Sequence, residues 1–181
     1  MTSRHDRDPG TCVVSAVIAA ADVAETICAV LAPAAVAGES AAGNEAARRY
    51  RVPIIFHTGM SSKASPGVIA ELAARHKDVP VILGHMGVSE YVKVAVAVAR
   101  QNENIFLETS VVGWMPLLLE AFRGVGTSKI LFGSDHPYNP LPMEVEKISK
   151  HVAKAAKLKE DDLKKVFSSN FLSLLEWRQK D

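Results

Sequence analysis

Three residues that could bind a metal ion or transfer a proton stand at the ends of short apolar runs. They are His57, His85 and Asp135, and the runs are 52–56, 79–83 and 129–132. A neutral imidazole and a carboxylate are good ligands for zinc and similar divalent ions. Such an ion lowers the pKa of bound water and can supply hydroxide. The three residues are therefore candidates for a metal-dependent catalytic site.

The apolar runs alternate with helical patterns, and this order predicts a parallel α/β sheet. A further strand is predicted at 104–109, between the second and last of these runs. Buried parallel strands read as continuous apolar runs, and ligands of such folds bind beyond the carboxyl ends of the strands. We therefore expect His57, His85 and Asp135 to lie on one side of the sheet. The glycines beside them let the backbone turn sharply and approach a ligand closely.

The strand at 104–109 offers further polar groups at its end. Alternation along a strand directs Glu108 and Ser110 to the same side, and either could hydrogen-bond to substrate or to a ligand residue. We predict that Ser110 and Trp114 contact the substrate. A hydrogen-bonded strand end and ordinary aromatic packing are the simpler alternatives for the two residues.

Composition narrows the class of protein. The chain has 181 residues, of which 48% are hydrophobic and 23% charged, and its net charge is +1. These values are typical of one globular domain and argue against nucleic acid or a membrane surface as a partner. The phosphate-binding loop, the dinucleotide fingerprint and the nucleophile elbow are missing from the sequence.

The first 45 residues have a different character and are predicted to be a helical segment, separate from 46–181. Apolar residues recur at helical spacing over 13–31, and Pro33 ends the pattern. The segment resembles a signal peptide, but Asp22 and Glu25 interrupt its apolar part. The two cysteines give no disulfide framework. We therefore expect a cytoplasmic protein.

The segments 52–59, 80–87 and 130–137 resemble the later strands of amidohydrolase-related proteins, and 169–175 resembles the closing segment of that family. These proteins are metal-dependent TIM barrels that include hydrolases and non-oxidative decarboxylases. The resemblance covers roughly residues 45–176. It implies that His57 and Asp135 bind the metal, that Asp135 also accepts a proton from water, and that His85 activates water or polarises the substrate. Zinc is the expected metal, with manganese as the alternative.

The sequence departs from the family pattern at its N-terminus. The His-x-His pair of the family's first strand is missing, and 51 residues precede the first predicted strand. A complete barrel takes about 250 residues. We therefore predict a half TIM-type (β/α) barrel of about four parallel strands, without the N-terminal strands. Such a sheet would expose strand edges at 52–56 and 129–132, which predicts a homo-oligomer.

Three functions remain open at this point. The first is metal-dependent hydrolysis of a C–N or C–O bond in a small molecule, with His85 and Asp135 as catalytic residues. The second is non-oxidative decarboxylation at the same site. The third is a truncated, non-catalytic fragment that serves as an interaction module, which the missing His-x-His pair favours.

Overall fold

A parallel β-sheet forms the centre of the protein. The structure is a computed structural model, and it describes residues 29–31, 47–50, 52–60 and 62–176. Within these residues five parallel strands lie side by side in chain order. The strands are β1 (Ala29–Leu31), β2 (Ile54–His57), β3 (Val81–Gly84), β4 (Ile105–Glu108) and β5 (Ile130–Leu131).

Helices fill the gaps between successive strands from β2 onward, as the sequence predicts. The helices are α1 (Pro66–Arg75), α2 (Val88–Gln101), α3 (Met115–Val125), α4 (Leu141–Glu146), α5 (Ala153–Ala156), α6 (Glu160–Lys164) and α7 (Asn170–Glu176). Two π-helical stretches, Lys147–Val152 and Lys165–Ser169, join α4 to α5 and α6 to α7. In the described part of the chain, none of these helices has the length and apolarity needed to cross a membrane.

The sheet is buried on both faces, which explains why its strands are apolar without alternation. The larger core cluster joins one face to the helices that follow the strands, with Ile54, Val81 and Ile105 among its fully buried members. The smaller cluster lies on the other face, where Ile55 and Ile82 pack with residues of β5 and α7. This arrangement leaves polar chemistry to the strand ends.

The helix predicted over 13–31 is wrong at its end, because Ala29–Leu31 forms β1. The backbone of β1 pairs in parallel with β2, with Val30 opposite Ile55. Pairing with a neighbouring strand decides the conformation of such a short apolar segment, and helical periodicity cannot detect that. The rest of the predicted helix lies outside the described residues. A domain boundary near residue 45 stays a prediction.

Other parts of the described structure contact the two strand edges that the sequence predicts to be open. β1 pairs with the edge of β2. On the far side of β5, the Ile130 carbonyl accepts a hydrogen bond of 2.8 Å from the Asn170 side chain. The Phe132 N–H donates to the Val166 carbonyl at 2.8 Å. These contacts satisfy backbone groups that would otherwise be free to pair with another chain. Within the described residues β1 and β5 remain the terminal strands of an open sheet, so the expected homo-oligomer stays a prediction.

The contacts of Asn170 generate the first prediction. Its amide nitrogen donates to the carbonyls of Thr127 and Ile130, at 2.7 and 2.8 Å. Asn170→Ala leaves both carbonyls without this donor, so we expect the free energy of unfolding to fall by about 2 kcal/mol. Urea denaturation measures the change. Asn102→Ala is the control, since Asn102 makes one local side-chain bond to Val98 and its loss should cost about 1 kcal/mol or less. Equal losses in both variants would contradict the role of Asn170.

Candidate active site

Two histidine rings meet at the carboxyl ends of β2 and β3. His57 is the last residue of β2, and the register places it opposite Gly84. His85 follows directly. The two ring centroids lie 4.8 Å apart, and the ring planes meet at 75°. The prediction that these strand ends bring the two side chains together is confirmed.

Thr58 joins the two histidine loops. Its hydroxyl donates to the Gly84 carbonyl at 2.6 Å and accepts from the Gly87 N–H at 2.7 Å. The next residue, Gly59, has φ +103°, and a Cβ there would lie 2.6 Å from a methyl group of Val88. The loops thus approach so closely that only glycine fits. These contacts hold His57 and His85 at a fixed separation.

Asp135 lies beyond β5 and acts electrostatically on His57. Burial lowers the pKa of His57, the neighbouring His85 lowers it further, and the charge of Asp135 raises it. The net effect is a lowered pKa, because desolvation is the largest of the three causes. His57 is therefore neutral near pH 7, and a neutral imidazole is the form that binds metal ions.

A buried carboxylate organises the ends of β3 and β4. Glu108, which is 3% exposed, accepts hydrogen bonds from the backbone N–H of His85 at 2.9 Å and from that of Ser110 at 2.5 Å. The Ser110 hydroxyl donates to the same carboxylate at 2.7 Å. The Ser110 oxygen also lies 2.7 Å from Nδ1 of His85. The predicted shared orientation of Glu108 and Ser110 is confirmed, and the two residues hydrogen-bond to each other.

A second buried acidic residue, Glu144 on α4, lies behind the same strand end. Burial raises the pKa of its carboxyl, and the hydrogen bond from Lys147 opposes that rise. The Lys147 ammonium group also donates to the carbonyls of Thr109 at 2.9 Å and Val112 at 3.3 Å. The pair therefore holds the loop that follows β4. Sequence analysis missed it, because acidic and basic residues three apart on a helix are typical of a surface.

The backbone is strained where the strands end. Non-glycine residues with positive φ occur after β3 at His85 and Val88, after β4 at Val111 and after β5 at Asp135, with φ between 51° and 66°. Positive φ is uncommon for non-glycine residues and unusual for β-branched ones. Such strain concentrates at functional sites. It supports the strand ends as the active site.

The two residues predicted to contact substrate occupy different environments. Ser110 is 1% exposed, and its hydroxyl group already contacts Glu108 and His85 at hydrogen-bond distance. Trp114 is 59% exposed and precedes α3. Substrate contact by either residue stays a prediction.

Two of the described residues are candidate metal donors. The imidazole of His57 and the carboxylate of Asp135 are suitable donors for a divalent ion. However, catalytic zinc sites use about three protein ligands. Within the described ranges, no group of three or more histidine, cysteine, aspartate or glutamate residues is placed to hold a metal. The donors fit a metal in kind but do not complete its coordination.

The fold and the strand-end site define a partial TIM-type α/β barrel, and comparisons with known proteins identify its family. The sequence profile of the amidohydrolase family matches residues 31–175. This chain belongs to that family, whose members are typically metal-dependent enzymes. A search of curated protein sequences found no match.

Solved structures show the same fold at low sequence identity. An uncharacterized TIM-barrel protein from Bordetella bronchiseptica is 18% identical, with a TM-score of 0.64 over 80% of this chain and 52% of its own. A provisionally assigned amidohydrolase from Staphylococcus aureus is 16% identical, with a TM-score of 0.59 over 81% of this chain and 63% of its own. The 5-carboxyvanillate decarboxylase of Sphingomonas paucimobilis is 16% identical, with a TM-score of 0.51 over 72% and 51%. This chain thus spans about half to three fifths of their length.

The lowered pKa of His57 predicts how stability depends on pH. Above its ordinary pKa of 6.5, His57 is neutral in the folded and unfolded states. As the pH falls below 6.5, the unfolded chain binds a proton before the folded protein does, so the free energy of unfolding decreases. We expect a shallower decrease for His57→Gln. Urea denaturation from about pH 8 to about pH 5 in chelator tests this. His151→Gln, at an exposed position, should retain the wild-type profile, and identical profiles for all three proteins would contradict the prediction.

The position of Glu108 predicts that a larger residue in place of Gly133 destabilises the fold. A Cβ at Gly133 would overlap the Glu108 carboxylate. We expect Gly133→Ala to lower the free energy of unfolding by about 1–3 kcal/mol, because the buried carboxylate must move. Gly113→Ala is the matched control, since its Cβ would have only the Val111 carbonyl near it, at 4.0 Å. Thermal or urea unfolding compares the two variants, and a neutral Gly133→Ala would contradict the packing described here.

Proposed function

We propose that this protein acts as a metal-dependent hydrolase on a C–N or C–O bond of a small molecule. Family membership supports an enzyme of the amidohydrolase type. The observation that carries the proposal is the meeting of His57 and His85 at strand ends, within the electrostatic reach of Asp135. A bound divalent ion would supply the Lewis acidity that such hydrolysis needs.

In this proposal His57 and Asp135 contribute two ligands of the divalent metal ion. Zinc or manganese fits one imidazole and one carboxylate. The incomplete donor set also keeps a homo-oligomer as a proposal, since a second copy could supply the remaining ligands. A cytoplasmic location belongs to the same proposal, because a chain with only two cysteines has no disulfide framework.

The chain's own residues have distinct roles in hydrolysis. The Asp135 carboxylate accepts a proton from the attacking water. His85 either accepts a proton from water or donates a hydrogen bond to the substrate carbonyl. These two roles require opposite protonation at Nε2 of the neutral ring, because only a nitrogen that carries hydrogen can donate.

Decarboxylation is the second candidate. It is favoured by the fold likeness to the decarboxylase from Sphingomonas paucimobilis. The same strand-end site would then bind a carboxylated substrate. The third candidate, a non-catalytic interaction module, is favoured by the small number of metal donors in the described part.

Metal binding and product release test the proposal together. The full chain is stripped with chelator, reloaded with zinc or manganese, dialysed, and assayed for metal per chain and for turnover of amide, ester and aromatic carboxylate panels. We expect near-stoichiometric metal in the wild type. Loss of a residue that only supports a metal ligand lowers metal affinity by about 10–100-fold. His57→Ala and Asp135→Ala each remove a ligand, so we expect a larger loss of affinity in both variants.

The matched control is His136→Ala, since His136 is an exposed neighbour of Asp135 and its loss should leave metal content unchanged. Release of amine or alcohol supports the hydrolase, whereas release of carbon dioxide supports the decarboxylase. An intact chain that binds neither metal and turns over no substrate would overturn both enzymatic proposals and favour the interaction module.

A further inference from the structure

The buried groups beneath His85 form a directed hydrogen-bond chain. Glu108 accepts from two backbone N–H groups and from the Ser110 hydroxyl. The two backbone N–H groups can only donate, one to each carboxyl oxygen, and this suits the ionised form, which only accepts hydrogen bonds. Nδ1 of His85 lies 3.7 Å from the carboxylate, whereas the hydroxyl oxygen lies 2.7 Å from both. Ser110 therefore bridges the imidazole and the carboxylate.

The number of hydrogen atoms available determines which group donates in each hydrogen bond between Glu108, Ser110 and His85. The Ser110 hydroxyl has one hydrogen, and the anionic carboxylate receives it. The Ser110 oxygen then accepts the hydrogen of the other contact, so Nδ1 of His85 must carry it. In the neutral ring this leaves Nε2 without hydrogen.

We infer that Glu108 and Ser110 are positioning residues that hold neutral His85 in the Nδ1–H tautomer. In this tautomer Nε2 presents a lone pair to the strand-end site and accepts a proton, and it does not donate to a substrate carbonyl. The role of Nε2 as a proton acceptor rests on the proposed function. The tautomer itself follows from the hydrogen bonds alone.

The surrounding backbone makes the arrangement rigid. The same Glu108 oxygen that accepts from Ser110 Oγ accepts from the His85 N–H, so the carboxylate fixes both the backbone and the ring of His85. His85 as a whole is 6% exposed. Rotation of the ring would exchange a satisfied nitrogen for a carbon atom and leave the Ser110 oxygen without this donor, which is costly in a buried site.

Nitrogen NMR of the imidazole rings tests the inference without substrate or metal. The full chain is labelled with ¹⁵N-histidine, stripped with chelator and examined at a pH where His85 is neutral, with His85→Gln used to assign its signals. We expect a protonated Nδ1 and an unprotonated Nε2 in the wild type. In Ser110→Ala the Nε2–H form should rise to about half or more of the population, because that ring has lost its acceptor.

Two further variants separate this role from a general loss of structure. Ser110→Thr keeps the hydroxyl and should restore the Nδ1–H tautomer, and it also serves if Ser110→Ala does not fold. Thr109→Val removes the neighbouring buried hydroxyl, which accepts from the Gly133 N–H and not from His85, and should leave the tautomer unchanged.

The result that overturns the inference is an Nε2–H tautomer in the wild type, or an unchanged Nδ1–H tautomer in folded Ser110→Ala. Neither result depends on whether the protein binds metal or hydrolyses a substrate. Conversely, a chain with the expected tautomer that turns over no substrate would refute the proposed function and leave the positioning role intact.

Discussion

A carboxylate buried among strand ends must be surrounded by hydrogen-bond donors, because an ionised group without them would destabilise the fold. Glu108 meets this constraint by collecting donors from the residue that follows β3 and from the end of its own strand. The segment after β5 contributes space, since Gly133 offers no side chain where the carboxylate lies. The geometry of three neighbouring strand ends thus depends on one side chain.

The same constraint connects the fold to the chemistry. The donor that completes the shell of Glu108 is Ser110, which also contacts the His85 ring. Thr58 in turn ties the loop of His85 to that of His57. The backbone at these strand ends is strained. It keeps this conformation because the surrounding hydrogen bonds hold it in place. The site is consequently preorganised around the two rings, whereas the described residues place no group of three or more histidine, cysteine, aspartate or glutamate side chains to hold a metal.

Strand pairing explains where the prediction of the fold succeeded and failed. Strands β2 to β5 were predictable because each is a buried apolar run followed by a glycine, a histidine or a carboxylate. β1 was not, since Ala29–Leu31 is equally compatible with a helix and becomes a strand by pairing with β2. The contacts at the far side of β5 were not predictable either, because Asn170 and Val166 come from about 40 residues further along the chain.

The sequence by itself determined the fold class, the family resemblance and the meeting of His57 and His85 at neighbouring strand ends. Residue type and position relative to the strands carry that information. Only the tertiary structure decided which groups are buried together. It placed Ser110 between Glu108 and His85, and it buried Glu144 with Lys147. Partners of this kind come from different loops and helices, and their choice depends on burial and on distances of a few ångströms that no local pattern encodes.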